Sequence, residues 1–412
     1  MEDGITLIVD AIENCLLPRL ERALDESEYH AEFNMRENKL NTHFPIIIET
    51  LGYLDFRIET EKASIILPKL LILDLELQSE GPWFREQCKT YSTSLNQAFE
   101  KMYGFKLYNI LEYHNVFNVQ ILFNKCLEYL HLKVTSTTFK NYPGLVEVYC
   151  KLANNVKDYK IELNPITVLP LSLILMEHFD IDTKIKGLRF CLSILECLTS
   201  DAFRQGNYYE VVYSCLIKCF DEKDLEVTKL TTSCLLLMLT KLPAKDKVIK
   251  VDEVYRTILE LMYTETNLYR KAACLNVTKL IIDMHGVNCV KYKLFKSVVC
   301  DALDLSSNKA AADILLKEVL QCLTSWLKYS WCVWRLSTYQ DILSALFKTL
   351  YVSSDNDEAV AIILKLIMTM IQLCTQEEQK QIASSMKSFT DANKTNQKFL
   401  ANMEIIKNSI AY

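Results

Sequence analysis

The chain has 412 residues, half of them hydrophobic, yet only 8 glycines and 8 prolines, about 2% each against typical usage of roughly 7% and 5%. The glycines stand singly, which excludes the G-x-G, G-x-x-x-x-G-K and G-x-S-x-G signatures of nucleotide-binding folds and α/β-hydrolases. A formal charge of −6 argues against sequence-independent binding to nucleic acid, which needs concentrated positive charge.

The first 160 residues are predicted to form an irregular helical region. Residues 5–24 are amphipathic, whereas the polar run 25–43 predicts a loop or flexible insertion. Residues 1–10 lack the pattern of a secretory signal, and no apolar stretch approaches the roughly twenty residues needed to cross a bilayer. We therefore expect a soluble protein with a junction at residues 140–165, followed by a regular helical array over residues 161–412.

Polar turns recur at a fixed interval in that array. Asn164 followed by Pro165 predicts the N-cap and first residue of its opening helix. Four turn anchors are 42 residues apart and a fifth follows 47 residues later: Asp182, Asp224, Thr266, Asn308 and Asp355. A period of about 40–47 residues with two helices per period is typical of HEAT and armadillo repeats. The sequence thus predicts an all-α, HEAT/armadillo-like α-solenoid of stacked helix pairs.

The turn at Glu177, His178, Asp180 and Asp182 has two interpretations. Carboxylates and an imidazole could hold a metal or belong to an enzyme site, if distant side chains converged on them in a concave pocket. The favoured interpretation is a solvated turn in which Asp182 caps the next helix, because equivalent turns carry no histidine. We expect neither catalytic residues nor a metal or cofactor.

The 15 cysteines indicate a reducing compartment, the cytoplasm and also the nucleus. No C-x-x-C occurs, and most cysteines stand among leucine and isoleucine, where a thiol behaves as a small hydrophobe. Cys215 and Cys219 share a helical face and could supply two soft metal ligands, but no second pair completes a zinc site. The thiols are predicted to be packing residues.

A basic ridge is the first candidate surface for partner binding. Stacked repeats align equivalent positions, so Lys184, Lys186 and Arg189 could line up with Arg270 and Lys271 to receive an acidic partner. The competing interpretation is an ordinary solvated face.

A dense aromatic cluster is the second candidate surface. It comprises Trp326, Tyr329, Trp331, Trp334, Arg335 and Tyr339. Tryptophan, tyrosine and arginine are enriched at interface hot spots. Packing between repeats explains Trp326, which extends an apolar helical stripe, but explains Trp331 and Trp334 less well. Trp331, Trp334 and Arg335 are therefore predicted partner-binding residues.

The segment 169–198, LPLSLILMEHFDIDTKIKGLRFCLSILECL, resembles the hallmark of the telomere-maintenance-protein-interacting family, second type, the smaller subunit of the Triple T complex. The matching features are Pro170 before a leucine-rich helix, the Glu177–His178 turn and the Gly187–Leu188 pair. The segments LYRKAACLNVTKL (268–280) and SWCVWRL (330–336) follow in order, so the resemblance covers residues 165–376, about half of the chain.

The resemblance implies a non-catalytic scaffold in a heterotrimeric co-chaperone. Its partners would be the two larger helical-repeat subunits of the Triple T complex and, indirectly, the ninety-kDa heat-shock chaperone machinery. The clients would be phosphatidylinositol-kinase-related kinases such as mTOR and ATM, with no nucleic acid or membrane among the partners. The alternative is another HEAT-repeat adaptor, in transport or in a ubiquitin-ligase scaffold, which would share every physical feature above.

Overall fold

The computed structural model describes residues 2–24, 29–58, 60–204, 206–392 and 396–410, and this part of the chain is helical without a β-strand. The chain forms two compact units, Met1–Leu216 and Ile217–Tyr412. Residue 160, the predicted boundary of the regular array, lies inside the first unit. Helix packing continues across it, because the helix at Pro143–Asn154 packs on the helix at Ile181–Cys197.

The first unit contains ten helices and the start of an eleventh among its described residues. They are α1 (Glu2–Cys15), α2 (Ala31–Leu51), α3 (Thr60–Leu77), α4 (Glu86–Tyr103), α5 (Val119–Lys133), α6 (Pro143–Asn154), α7 (Val156–Tyr159), α8 (Pro165–Met176), α9 (Ile181–Cys197), α10 (Ser200–Arg204) and α11 (Tyr208–Lys218). Short 3₁₀ turns and the four-residue α7 interrupt the pattern. The N-terminal region is thus helical and less regular, as predicted.

Helix α2 corrects the predicted loop at residues 25–43, of which 25–28 lie outside the described residues. Its buried face carries Arg36, Leu40, Phe44, Ile47 and Leu51 at helical spacing. The face looks polar in sequence because Arg36 belongs to it. The Arg36 guanidinium lies 2.6 Å from the Glu76 carboxylate, and both side chains are buried. An ion pair thus takes a position that an apolar side chain would ordinarily fill.

Helices α8 and α9 approach closely at Gly187. A Cβ atom at this position would lie 2.6 Å from the backbone nitrogen of Met176 and 2.8 Å from the Cβ of Leu175. The Ser172 hydroxyl donates a hydrogen bond of 3.0 Å to the Gly187 carbonyl. The Gly187–Leu188 pair is therefore a packing feature of this helix pair.

We expect Gly187→Ala to destabilise the protein. Overpacking costs about 1–3 kcal/mol, more than the roughly 1 kcal/mol that alanine gains over glycine in a helix. Urea unfolding followed by circular dichroism measures the difference. Ser193→Ala on the same helix is the control and should cause no loss, and equal stability of Gly187→Ala and wild type would contradict the close approach.

The second unit is a two-layer array of helix pairs. Its helices are α12 (Leu225–Lys241), α13 (Ala244–Thr264), α14 (Leu268–His285), α15 (Leu294–Leu305), α16 (Lys309–Ser330), α17 (Leu336–Val352), α18 (Asp357–Gln372), α19 (Gln376–Ala392) and α20 (Gln397–Ser409). Each odd-numbered helix from α13 packs on the even-numbered helix that follows it. Successive even-numbered helices pack on one another, as do α13, α15 and α17. This is a HEAT-like α-solenoid arrangement, which confirms the predicted fold class.

The 42-residue period appears in individual hydrogen bonds. Side chains join residues 42 apart at Arg270 and Thr228, at Lys279 and Gln321, and at Asn396 and Ser354. In the first unit the Gln120 side chain bonds the backbone of Glu162, also 42 residues away, in both directions. In the second unit these bonds join neighbouring helix pairs, and the Gln120–Glu162 pair shows the same spacing N-terminal to residue 165.

Asparagine or aspartate caps each helix of the even-numbered layer and also α9. The caps are Asp180, Asp224, Asn267, Asn308, Asn356 and Asn396, and each side chain accepts a hydrogen bond from a backbone N–H of the first turn. Asp224 and Asn308 coincide with predicted anchors. Three other anchors, Asp182, Thr266 and Asp355, lie one or two residues from the true caps. Asn164 caps α8 as predicted.

We expect Asp224→Ala to cost about 1 kcal/mol, because its carboxylate otherwise satisfies the N–H of Val227 at 2.9 Å. Asp224→Asn keeps an acceptor oxygen and should stay within a few tenths of a kcal/mol of wild type. Urea unfolding of both variants gives the comparison. Equal losses in the two variants would show that the cap contributes nothing specific.

Candidate protein-interaction surface

The aromatic cluster divides into a buried part and an exposed part. Trp326 stacks on Phe295 with ring centroids 5.1 Å apart, and Trp334 stacks on Tyr339 at 5.2 Å. The indole N–H of Trp334 donates to the Cys374 sulfur at 3.5 Å, which links the loop before α17 to the turn after α18. Trp334 is 1% exposed. Its prediction as a partner-binding residue is corrected, because the ring is part of the core between repeats.

Trp331 lies on the surface, in the loop between α16 and α17. Its side chain is 62% exposed, and Cys332, Val333 and Arg335 beside it are exposed too. The loop is held to the next helix pair by the N–H of Leu336, which donates to Glu378 at 3.2 Å. Within the loop, Arg335 donates to the carbonyl of the adjacent Trp334 at 2.6 Å. An exposed tryptophan on an anchored loop suits a protein interface.

The predicted basic ridge is only partly a surface. Lys186 and Arg189 are exposed, and Lys186 pairs with Glu147. Partial burial of Lys186 acts to lower its pKa. The hydrogen bond to the Glu147 carboxylate outweighs this effect, so the pKa of Lys186 is raised. Lys184 is buried, at 7% exposure.

Arg270 and Lys271 correct the ridge prediction, because their side chains are buried. The Arg270 guanidinium donates to the Thr228 hydroxyl at 2.7 Å, to the Phe220 carbonyl at 2.7 Å and to Glu265 at 2.5 Å. Lys271 donates to Asp301 at 2.5 Å. These cations connect neighbouring repeats, so neither contributes to a surface.

A second surface feature is a groove of about 800 Å³ along α14, α16 and α18. Its polar lining includes Lys279, Asp283, Lys328 and Lys365, and its apolar lining includes Leu280. Sequence reasoning missed these lysines, although Lys279, Gln321 and Lys365 follow one another at 42 and 44 residues. That spacing near the repeat length was the available signal.

The acidic turn before α9 is a capping turn. The Asp180 carboxylate accepts bonds from the side chain and backbone N–H of Thr183, and these bonds lower its pKa. The His178 ring packs edge-on against Phe139 at 5.5 Å. Asp180 therefore takes the capping role predicted for Asp182, which lies in the first turn of α9.

One buried histidine lies in a polar cluster that the sequence did not suggest. The imidazole of His285 lies 3.0 Å from Asp252, whose other oxygen accepts a 2.5 Å bond from the Tyr292 hydroxyl. Burial lowers the pKa of His285, against the opposing effect of Asp252. His285 is 7% exposed and packed against Tyr255, so the cluster joins α13, α14 and the following turn.

The cysteines behave as packing residues. Twelve of the 15 are buried, and Cys332 is exposed. Burial raises the pKa of Cys15 and of Cys274 to about 12, so these thiols stay protonated.

Within the described residues no group of three or more histidine, cysteine, aspartate or glutamate side chains could hold a metal ion. None of the helices described is long and apolar enough to span a membrane.

Comparisons with known proteins find similarity in structure but no match in sequence. No family model and no curated protein sequence matches the chain. Kap121p bound to Nup53p is similar with a TM-score of 0.49 and 16% identity, over 98% of this chain and 43% of that one. Kap95p in complex with RanGDP gives 0.47 and 12%, over 93% and 50%. Importin beta gives 0.47 and 10%, over 93% and 46%. The chain spans half or less of the length of these proteins.

Proposed function

We propose that this chain is a non-catalytic scaffold subunit of a Triple T co-chaperone, which supports the stability and assembly of phosphatidylinositol-kinase-related kinases. The HEAT-like arrangement of its helix pairs is typical of protein-interaction scaffolds. The observation that carries the scaffold role is the exposed Trp331 next to the exposed Arg335 on an anchored loop, because tryptophan and arginine are enriched at interface hot spots.

The assignment to the Triple T complex is supported by the sequence resemblance over residues 165–376. Two of its segments have definite structural roles. Gly187 is the point of closest approach between α8 and α9, and the SWCVWRL segment presents Trp331 outward while burying Trp334.

Affinity purification of the tagged chain from its native cells, with mass spectrometry of the stoichiometric partners, tests this proposal. We expect the two other Triple T subunits in equal amounts and kinases of the mTOR and ATM class at lower stoichiometry. Recovery of an unrelated assembly, such as a transport or ubiquitin-ligase complex, would overturn the Triple T assignment while leaving the scaffold architecture intact.

Trp331→Ala should weaken the recovered complex at least tenfold in affinity, since hot-spot truncations cost about 2 kcal/mol or more. The control is Tyr269→Ala, which removes an aromatic ring of similar exposure, 60%, at the start of α14. Quantitative binding of the purified variants to the recovered partners gives the comparison. Equal affinity of the Trp331 variant and wild type would show that the partner interface does not include this loop.

A further inference from the structure

The groove along α14, α16 and α18 has an apolar floor. Leu280, Ala361 and Ile362 reach the solvent side, and Leu327 and Leu366 are buried beneath them. Leu280 itself is 41% exposed. Large apolar side chains left in contact with water inside a concave surface gain free energy when a partner covers them.

The rim of this groove is basic, on a chain whose formal charge is −6. Lys279, Lys328 and Lys365 line it together with a single acidic residue, Asp283. Lys279 donates to the side-chain amide oxygen of Gln321 at 2.7 Å, and Lys328 lies 3.7 Å from Asp283. Within the described part of the chain, no carboxylate lies within ion-pair distance of the exposed Lys365. The rim therefore carries positive charge that the chain does not neutralise.

Two other grooves among the described residues of the second unit lack this bias. The groove at the N-terminal ends of α16 and α18 mixes Lys309 and Lys317 with Asp313, Asp355 and Glu358. The groove between α17, α19 and α20 contains Lys348, which pairs with Asp304 at 2.6 Å. An apolar floor with a basic rim thus distinguishes the α14–α16–α18 groove from these two grooves.

We infer that this groove receives an acidic amphipathic helix of a partner protein. Its apolar side chains cover Leu280 and Ile362, and its carboxylates face Lys279, Lys328 and Lys365. The inference depends on one part of the proposed function, namely that the chain binds other proteins.

A helix suits the groove better than an extended peptide. The groove crosses three packed helices, and interaxial distances of about 8–10 Å give it a span of roughly 20 Å, which a helix of about 13 residues matches. An extended peptide would find no strand edge in the described part of the chain with which to form a ladder of main-chain hydrogen bonds, whereas a helix satisfies its own backbone groups.

The floor and the rim have different roles in this interaction. Exposed ion pairs contribute only about 0.2–1 kcal/mol each, so covering the apolar floor provides most of the affinity. The lysines select for an acidic partner and speed its association. Reversing two of the three charges should therefore weaken an acidic helix by about tenfold and leave a neutral helix of the same shape unaffected.

Fluorescence anisotropy with the full chain tests the selectivity. The probe is a labelled 16-residue helical peptide with leucine at positions i, i+3, i+4 and i+7 of its repeat and glutamate on the flanking positions. Two further probes replace every glutamate by glutamine or by lysine. We expect the glutamate probe to bind at least tenfold more tightly than the glutamine probe at low salt, and the lysine probe to bind most weakly.

The variant Lys328→Glu/Lys365→Glu should lose about tenfold in affinity for the glutamate probe and should gain affinity for the lysine probe. Lys293→Glu, an exposed lysine before α15 and outside the groove, is the matched control and should bind like wild type. Equal binding of the glutamate and glutamine probes, or an equal loss in the Lys293 control, would overturn the inference, as would the absence of binding by every probe.

A photo-crosslinking amino acid at Leu280 then identifies the natural occupant in complexes purified from cells, with Tyr269 as the control position. We expect the crosslinked partner segment to carry net negative charge and apolar residues at helical spacing. A neutral or basic segment would overturn the groove inference even when the Triple T subunits are recovered. Conversely, an acidic helix from an unrelated protein would leave the groove inference standing and overturn the proposed function.

Discussion

Replacing Arg270 by methionine is expected to lower the free energy of unfolding by about 3–5 kcal/mol, the usual cost of removing one partner from a buried ion pair. The substitution leaves the Phe220 carbonyl without its donor and takes a hydrogen bond from the buried Thr228 hydroxyl. It also leaves Glu265, whose side chain is 8% exposed, with only its bonds to the N–H groups of Thr266 and Asn267.

Arg256→Met is the matched control, because Arg256 is exposed and lies 3.9 Å from Glu260 on the surface of α13. Exposed pairs of this kind contribute about 0–1 kcal/mol. Urea unfolding of both variants, followed by circular dichroism, gives the comparison. A loss for Arg270→Met no larger than that for Arg256→Met would show that the buried cation is not what joins these repeats.

The Arg270 effect should also depend on pH. Burial of Glu265 works to raise its pKa, but hydrogen bonds from the Asn267 backbone and the charge of Arg270 lower it below the ordinary value of 4.5. A carboxylate with a lowered folded-state pKa stabilises the protein above its unfolded pKa and loses that contribution as the pH falls through the folded value. The difference between wild type and Arg270→Met should therefore shrink below about pH 4.5.

The position of Arg270 shows what sequence periodicity can and cannot predict. The 42-residue period and the helical stripes were visible because apolar side chains repeat with the geometry of packed helices. A buried arginine breaks that pattern, since its burial depends on acceptors at Thr228 and Phe220 that only the folded repeats bring together. Arg36 gives α2 the polar pattern of a loop for the same reason, because its partner Glu76 lies 40 residues away in the sequence.

Turn positions were predictable to within two residues. Several polar residues lie side by side at each turn, for example Asp180 and Asp182, and each of them could cap a helix. The residue that does so is the one with extended backbone whose side chain reaches the N–H groups of the first turn, as Asp180 does at φ −72° and ψ 129°. Backbone conformation therefore decides the cap, and composition does not reveal it.

The candidate surfaces were harder to predict than the fold. Trp331 and Trp334 lie between the end of α16 at Ser330 and the start of α17 at Leu336. Helical periodicity makes no statement about which side chain of such a loop points inward. The lysines of the groove were overlooked because they come from three helices, and grouping them requires the packing of α14, α16 and α18.

Trp334→Ala is expected to lower the free energy of unfolding strongly and Trp331→Ala hardly at all, although the two residues are only three positions apart. Truncating Trp334 removes a ring that is 1% exposed and stacked on Tyr339, and phenylalanine or tryptophan truncations in a core cost about 3–5 kcal/mol. Trp331→Ala removes a ring that is 62% exposed and should change the free energy of unfolding by no more than about 0.5 kcal/mol.

Trp334→Phe separates the packing of the ring from its hydrogen bond. It keeps an aromatic ring against Tyr339 and loses the N–H that donates to Cys374, so it should cost less than Trp334→Ala. Chemical unfolding of the three variants measures their stability, and partner binding is measured on the variants that stay folded. The two measurements together distinguish a core role for Trp334 from a partner-binding role for Trp331. We expect Trp331→Ala to fold normally and bind weakly, whereas Trp334→Ala loses stability first. Equal stability losses at the two positions would instead place both rings in the core and remove Trp331 from the interaction surface.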